Sequence, residues 1–241
     1  MEYKNIYNSS LKNPEEFWLK ACNLAFWKKF PTKALDNSTP PYYNWFNDGI
    51  TNVCYNAIDR HVLEGRGESI ALIYDSPVTG TNKKISYNQL LKDVTKLSYS
   101  LSKKGIKKGD RVVIYMPMIP EAIVSMLACS RIGAIHCVVF GGFAAKELAV
   151  RIDDAKPKAI IAASCGIEPN RIVKYKPLLD ESLNIAKHKP DFNLVFQRKE
   201  CEADLNKNID IEWHDFQINS GEQDCVFMNG NEPLYLLYTS G

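Results

Sequence analysis

The sequence has no C-x-x-C pair, no clustered histidines and no marked excess of either charge. Each absence removes a class of function. The 4 His, at positions 61, 136, 188 and 214, follow no metal-ligand spacing, so no zinc site and no metal ligands are assigned. Lys and Arg total 30 against 28 Asp and Glu, a net charge of +2. That is no electrostatic footprint for nucleic acid or an anionic membrane. No apolar run reaches the ~20 residues of a membrane-spanning helix. The N-terminal stretch MEYKNIYNSSLKNPEE has neither an apolar signal core nor the Arg-rich, acid-poor character of a transit peptide. On these grounds alone the cytoplasm is the default compartment. G-x-G-x-x-G is also missing, and with it the dinucleotide fingerprint.

What is present fits a globular protein. The chain has 241 residues, 45% hydrophobic and 24% charged, enough for one large domain or two small ones. Its 7 Cys are odd in number, and several lie in apolar runs. They read as free, buried thiols in a reducing compartment.

Asn13-Pro14-Glu15-Glu16 predicts a helix start, with proline at the first position and acids at the positive end of the dipole. Residues 31–51, rich in Pro, Tyr and Trp, predict an extended segment wrapped on a surface. Val53 to Leu63 reads as a second helix. From residue 69 the pattern changes. SIALIYD and KISY flank a turn and predict a hairpin. Ser86-Tyr87-Asn88-Gln89 has a capping-box pattern. It opens a helix with Leu90, Val94, Leu97 and Leu101 on one face, ended by Gly105. Strands RVVIYM, AIHCVVF, KAIIAA and NLVFQ then alternate with helices EAIVSMLACSRI, AKELAVRIDDA and one near 176–187. That alternation predicts α/β architecture, a mostly parallel sheet flanked by helices. Residues 199–232 read as a polar surface excursion before a last buried strand, LYLLY.

In open α/β sheets, ligands bind beyond the carboxyl ends of strands. Three such ends carry unusual residues. Phe140 is followed by Gly141 and Gly142, where a ligand can approach the backbone near a helix start. A plain strand-to-helix turn uses the same pair. Gly166 to Arg171 form a loop whose Arg171 could fork onto a phosphate; a solvated arginine is the alternative. Thr239, Ser240 and Gly241 offer hydroxyls and open backbone suited to phosphate oxygens. None of the three holds a recognisable catalytic acid, base or nucleophile. Asp153 and Asp154 read as solvated or ion-paired.

Taken together, YMPMIPEA, RIGAIHCVVFGGF, RIDDAKPK, GIEPNR and LYTSG resemble the AMP-forming short-chain acyl-CoA synthetases. The resemblance runs from about Tyr7 to Gly241 and includes NPEEFW, WFNDG and NAIDRH of the family's N-terminal cap. YNAIDRH, ALIYDSPVT, YMPMIPEA and GIEP resemble the propionyl-CoA synthetase branch, the mitochondrial short-chain member 3 type included. The resemblance implies a cap over residues 1–65, then the first part of the adenylate-forming (AMP-binding) large domain over 66–241. It implies ATP, CoA and Mg²⁺, a short-chain carboxylate (propionate, with acetate or butyrate as alternatives) and two steps through an acyl-adenylate.

The resemblance also implies roles for residues. Phe140, Gly141 and Gly142 would line the CoA path. Glu168, Pro169, Asn170 and Arg171 would meet the CoA nucleotide phosphate, with Glu168 standing where acetyl-CoA synthetases carry arginine. Thr239, Ser240 and Gly241 would open the ATP phosphate loop, the remainder of which, with the acyl pocket, the Mg²⁺ ligand and the adenylation lysine, is expected beyond Gly241. No catalytic residue is then expected in this chain, and the isolated chain is expected to be inactive and to fold poorly. The branch suggests the mitochondrial matrix, small-molecule partners, no nucleic acid and no membrane, and leaves a homo-oligomer open. The alternative is a CoA-binding or subunit-interacting product without turnover. A Rossmann-type oxidoreductase rests on the glycine pair alone.

Overall fold

A computed structural model of the chain describes residues 2–217 and 221–239. The chain begins with α1 (Tyr3–Lys12) and α2 (Pro14–Ala21), the latter with Pro14 in its first turn and Glu15 and Glu16 beside it. A hairpin of β1 (Leu35–Thr39) and β2 (Tyr42–Trp45) follows, then β3 (Ile50–Thr51). The expected surface segment is thus partly ordered as strands, with Trp18 edge-on to Trp45 and Trp27 against Phe46.

Residues 53–63 are helical, as the sequence predicts, but two stretches are wider π turns, Tyr55–Asp59 and Val62–Arg66, the second broken at Gly65 by a φ of 82°. Such turns are rare and frequently lie at functional sites. Here Ile58 is buried, and Asp59 points to Arg131 of a later helix.

The hairpin of β4 (Ile70–Ser76) and β5 (Thr81–Ser86) leads into α3 (Tyr87–Lys103). Ser86 caps that helix by accepting from the Gln89 amide, and Leu90, Val94, Leu97 and Leu101 are buried. Then come β6 (Arg111–Met116), α4 (Pro120–Ile132), β7 (Ile135–Phe140), α5 (Ala145–Ala155) and β8 (Ala159–Ala163). Gly133 closes α4 at φ 73°, a conformation that favours glycine. The remainder is β9 (Cys165–Glu168), β10 (Arg171–Lys174), α6 (Tyr175–Ile185), β11 (Phe192–Phe196), β12 (Asp210–Glu212), α7 (Trp213–Phe216), β13 (Met228–Asn229) and β14 (Tyr235–Leu236).

Six strands form one parallel sheet in the order β12-β11-β8-β6-β7-β14. β6 to β7 steps one way across the sheet, and β7 to β8 steps back past β6. Right-handed crossovers therefore put α4 on one face and α5 on the other. α3 packs with α4 and α5 with α6, giving helices on both faces. Val112 to Tyr115 and Ala159 to Ala163 are fully buried between them. The reversal makes the carboxyl ends of β6 and β8 the topological switch point, where such sheets bind ligands.

Three expectations change. Gly166 to Arg171 is not a free loop: it belongs to the β9–β10 hairpin, with Glu168 paired to Arg171 in register. Residues 199–232 are not only a surface excursion. β12 adds a parallel edge strand, and β13 pairs with β3. LYLLY is not buried throughout. Only Tyr235 and Leu236 pair with β7, and Tyr235 and Leu237 are 52% and 69% exposed. An all-apolar run is read as a strand covered on both faces, but among the described residues β14 is an edge strand with one face open.

On that edge His136 stacks on Tyr235, with ring centroids 5.7 Å apart. Its Nδ1 is buried without a partner, and burial pulls its pKa down to about 4. The unfolded chain takes up this proton below about pH 6.5, whereas the folded chain resists it down to about 4. Stability held above pH 6.5 is therefore lost as pH falls toward 4, by up to about 3 kcal/mol. His136→Phe is expected to flatten urea-unfolding stability over that window. An unchanged slope in the variant would assign the acid sensitivity elsewhere.

Candidate functional site

The switch point is organised by two tyrosines. Tyr115 is the next-to-last residue of β6, and its hydroxyl donates to the Phe143 carbonyl at 2.9 Å. The same oxygen accepts from the Gly142 amide at 3.3 Å. One phenol thus ties both sides of the turn after β7. Burial pushes its pKa up to about 12, so it stays protonated and can donate. Tyr175, the first residue of α6, lies 5.1 Å from it between ring centroids, and burial raises its pKa too.

Tyr175 is also why the glycines are glycines. A Cβ on Gly141 would lie 2.6 Å from the Tyr175 ring, and one on Gly166 only 2.1 Å from its hydroxyl. Gly142 has φ 96°, which side chains rarely adopt. The ring therefore fills the space between the turn after β7 and the hairpin after β8. Two of the three sequence-predicted loops become one surface at the carboxyl edge of the sheet.

The third approaches through Arg151. Its guanidinium stacks on Phe143 at 4.8 Å and on Tyr238 at 5.2 Å. Tyr238 donates to Asp154 at 2.6 Å. Thr239 follows and is exposed; Ser240 and Gly241 lie outside the described residues. Asp153 accepts from the His188 amide at 2.8 Å, so both acids have partners.

Phe140 is 70% exposed, standing off the sheet beside Phe143. Arg171 projects from the hairpin, but Glu168 accepts from its Nε at 2.7 Å and Nη2 at 3.3 Å. Each raises the other's tendency to stay charged: the Glu168 carboxyl is held below its ordinary range and the Arg171 guanidinium above it, by this same pair. Pro169 and Asn170 form the exposed tip between them.

The profile of AMP-binding enzymes matches residues 59–241. The chain belongs to the AMP-binding enzyme family. Residues 3–57 match the acetyl-coenzyme A synthetase N-terminus. Over the whole of this chain, the sequence is 53% identical to the rat protein "Acyl-CoA synthetase short-chain family member 3, mitochondrial" and covers 35% of it. It is 40% identical to "Propionate--CoA ligase" of Escherichia coli, again along the full chain and over 38% of that protein. The chain therefore spans about a third of the length of the curated relatives it matches. An acetoacetyl-CoA synthetase from Streptomyces lividans superimposes along the full chain and 36% of its own, with a TM-score of 0.87 at 20% identity. That likeness confirms the fold, the α/β architecture with a parallel sheet flanked by helices that the sequence predicts.

Sequence reasoning missed Tyr115 and Tyr175. Both look like core aromatics in sequence. The available signal was that two separate glycine sites, 141–142 and 166, needed a common bulky neighbour.

Proposed function

We propose that this chain forms the CoA-facing portion of a short-chain acid–CoA ligase. The activity is formation of acyl-CoA from acid, ATP and CoA through an acyl-adenylate, with propionate preferred over acetate or butyrate. The observation that carries the reading is the Tyr175 junction, which fuses the glycine turn and the hairpin into one ligand-facing surface at the switch point. Phe140, Gly141 and Gly142 bound the path of the CoA arm, where bare backbone allows close approach. Glu168, Pro169, Asn170 and Arg171 stand where the CoA nucleotide phosphate would lie. Thr239, Ser240 and Gly241 begin the ATP phosphate loop.

Residues 1–65 are assigned as a cap on 66–241. We assign the chain to the mitochondrial matrix; the word mitochondrial in the name of the rat relative supports the organelle. Mg²⁺ does not fit the groups in hand. Among the described residues the one clustered donor set is Cys54, Asp59 and Cys225, and Mg²⁺ requires oxygen ligands in octahedral array. The chain's own work is binding and orientation.

Glu168 occupies the fork of Arg171, so an arriving phosphate must compete with a carboxylate. Calorimetric titration with CoA is expected to show Glu168→Gln binding more tightly and Arg171→Ala more weakly, by about tenfold. Equal affinity for wild type and Arg171→Ala would remove Arg171 from the site. A second reading, CoA binding without turnover, is favoured because the carboxylate of the hairpin, Glu168, is already engaged by Arg171. It is told apart by ATP–pyrophosphate exchange measured on the longest natural form of the protein, where CoA binding without exchange would favour it.

A further inference from the structure

Away from this surface, a buried cluster joins the cap to the main body. The Sγ atoms of Cys54 and Cys225 and a carboxylate oxygen of Asp59 all lie within 4.8 Å of one another. Arg131, at the end of α4, donates to Asp59 at 2.8 Å and lies 3.7 Å from the Cys54 sulfur. The surrounding backbone holds the cysteines in place. Asn52, two residues before Cys54, donates to the carbonyls of Ser130 and of Val226, at 2.9 and 2.8 Å. Val226, next to Cys225, donates its amide to the Arg131 carbonyl at 2.8 Å. The seven cysteines are all free thiols, and this pair converges from opposite ends of the chain.

Two chemistries could use such a cluster. A metal ion would find only three ligands, and its carboxylate is already taken by a fixed guanidinium that repels cations. A dithiol has no such conflict, since Cys225 can donate to Asp59 at 3.8 Å while its sulfur faces that of Cys54. We propose that Cys54 and Cys225 are a redox site that closes to a disulfide on oxidation by a hydroperoxide. Cys225 is the entry sulfur, because it is partly exposed and Cys54 is fully buried.

In the first step the Cys225 thiolate attacks a peroxide oxygen. The O–O bond breaks, leaving a sulfenic acid and hydroxide. In the second, the Cys54 sulfur attacks the sulfenic sulfur, the S–O bond breaks, and water departs with the remaining proton. Two thiols lose two electrons, and hydrogen peroxide is reduced to two waters. An S–S bond of ~2.05 Å is then formed, from sulfurs now within 4.8 Å of each other. The contact with Cys54, together with burial, keeps the Cys225 thiol protonated well above the usual range. The reaction is therefore expected to speed up with pH.

The test is peptide mapping of the full 241-residue chain after exposure to hydrogen peroxide at pH 7 and 8.5, with free thiols alkylated before a non-reducing digest. The expected result is a dominant Cys54–Cys225 linked peptide. It should form faster at pH 8.5, reverse with dithiothreitol, and lose its preference when oxidation is done in guanidinium chloride. In Cys225→Ser, Cys54 should remain a thiol after the same exposure. Linked peptides spread evenly over the cysteines would overturn the proposal, as would Cys225 carried to sulfinic acid without linkage. Stoichiometric zinc on the untreated chain in native mass spectrometry would replace the dithiol with a metal site.

Discussion

Replacing Asp59 with alanine is expected to remove about 3–5 kcal/mol of folding stability, the usual cost of leaving a buried charge without its partner. The side chains of Arg131 and Asp59 are only 6% and 14% exposed. Arg131 cannot escape by losing its proton, because a guanidinium stays charged in proteins. Its remaining contacts are the Gln223 carbonyl and the Cys54 sulfur, neither of which carries the missing charge. The physical cause is the orphaned cation rather than a lost contact, and this has a consequence. Asp59→Ala combined with Arg131→Met should recover most of the loss, since an apolar side chain of similar length needs no counter-ion. Urea unfolding of the single and double variants measures this directly. A double variant as unstable as Asp59→Ala would show that shape, not charge, is what Asp59 supplies.

Gly166→Ala, a single added methyl, is expected to cost about 3 kcal/mol and to abolish CoA binding together with it. Overpacking is often absorbed by a neighbour moving aside. Here the neighbour is Tyr175, and its ring is held from the other side by Gly141, where space is equally short. The backbone of Tyr175 is fixed by its amide donating to the Ser164 carbonyl at 3.0 Å. The clash must then open the β9–β10 hairpin or push the glycine turn away from Tyr115. Either movement separates the two halves of the proposed CoA surface. Gly166→Ala paired with Tyr175→Phe tests the cause, because removing the hydroxyl relieves the closest approach. Chemical denaturation should show partial rescue by the second substitution. If Gly166→Ala alone melts and binds CoA like wild type, the junction does not hold the site together.

The sheet was legible because its central strands are short apolar runs separated by helices with clear periodicity. RVVIYM, KAIIAA and the α3 face around Val94 and Leu97 leave little choice of partner. Three kinds of feature were not legible. The β9–β10 hairpin has only four residues a side, and Pro169-Asn170 reads equally as loop. β12 was hidden in a polar stretch, although Ile209, Ile211 and Trp213 alternate as a strand should. Its Asp210 is buried because Lys176, from a distant helix, pairs with it at 2.8 Å. No local pattern announces such a partner. In the site, the motif residues were visible one loop at a time. What joins them, a tyrosine wedged between two glycine sites, is a property of tertiary packing alone.

The seam that carries Asn52 also bears on how the chain comes to be folded. Beyond the carbonyls of Ser130 and Val226, Asn229 donates to the Asn47 carbonyl, Asn231 to that of Trp45, and β13 pairs with β3. Residues 45–52 are thus stitched to a segment made some 170 residues later. At ribosomal rates of about 5–20 residues per second, the earlier segment waits on the order of ten seconds or more for its partner strand. Over that interval its tryptophan and the half-built junction are clients for whatever shields nascent chains. Contacts of such wide separation also belong to slow, late steps of folding. β6, β7, β8 and β11 are all made between the two halves of this seam and can pair while it is still open.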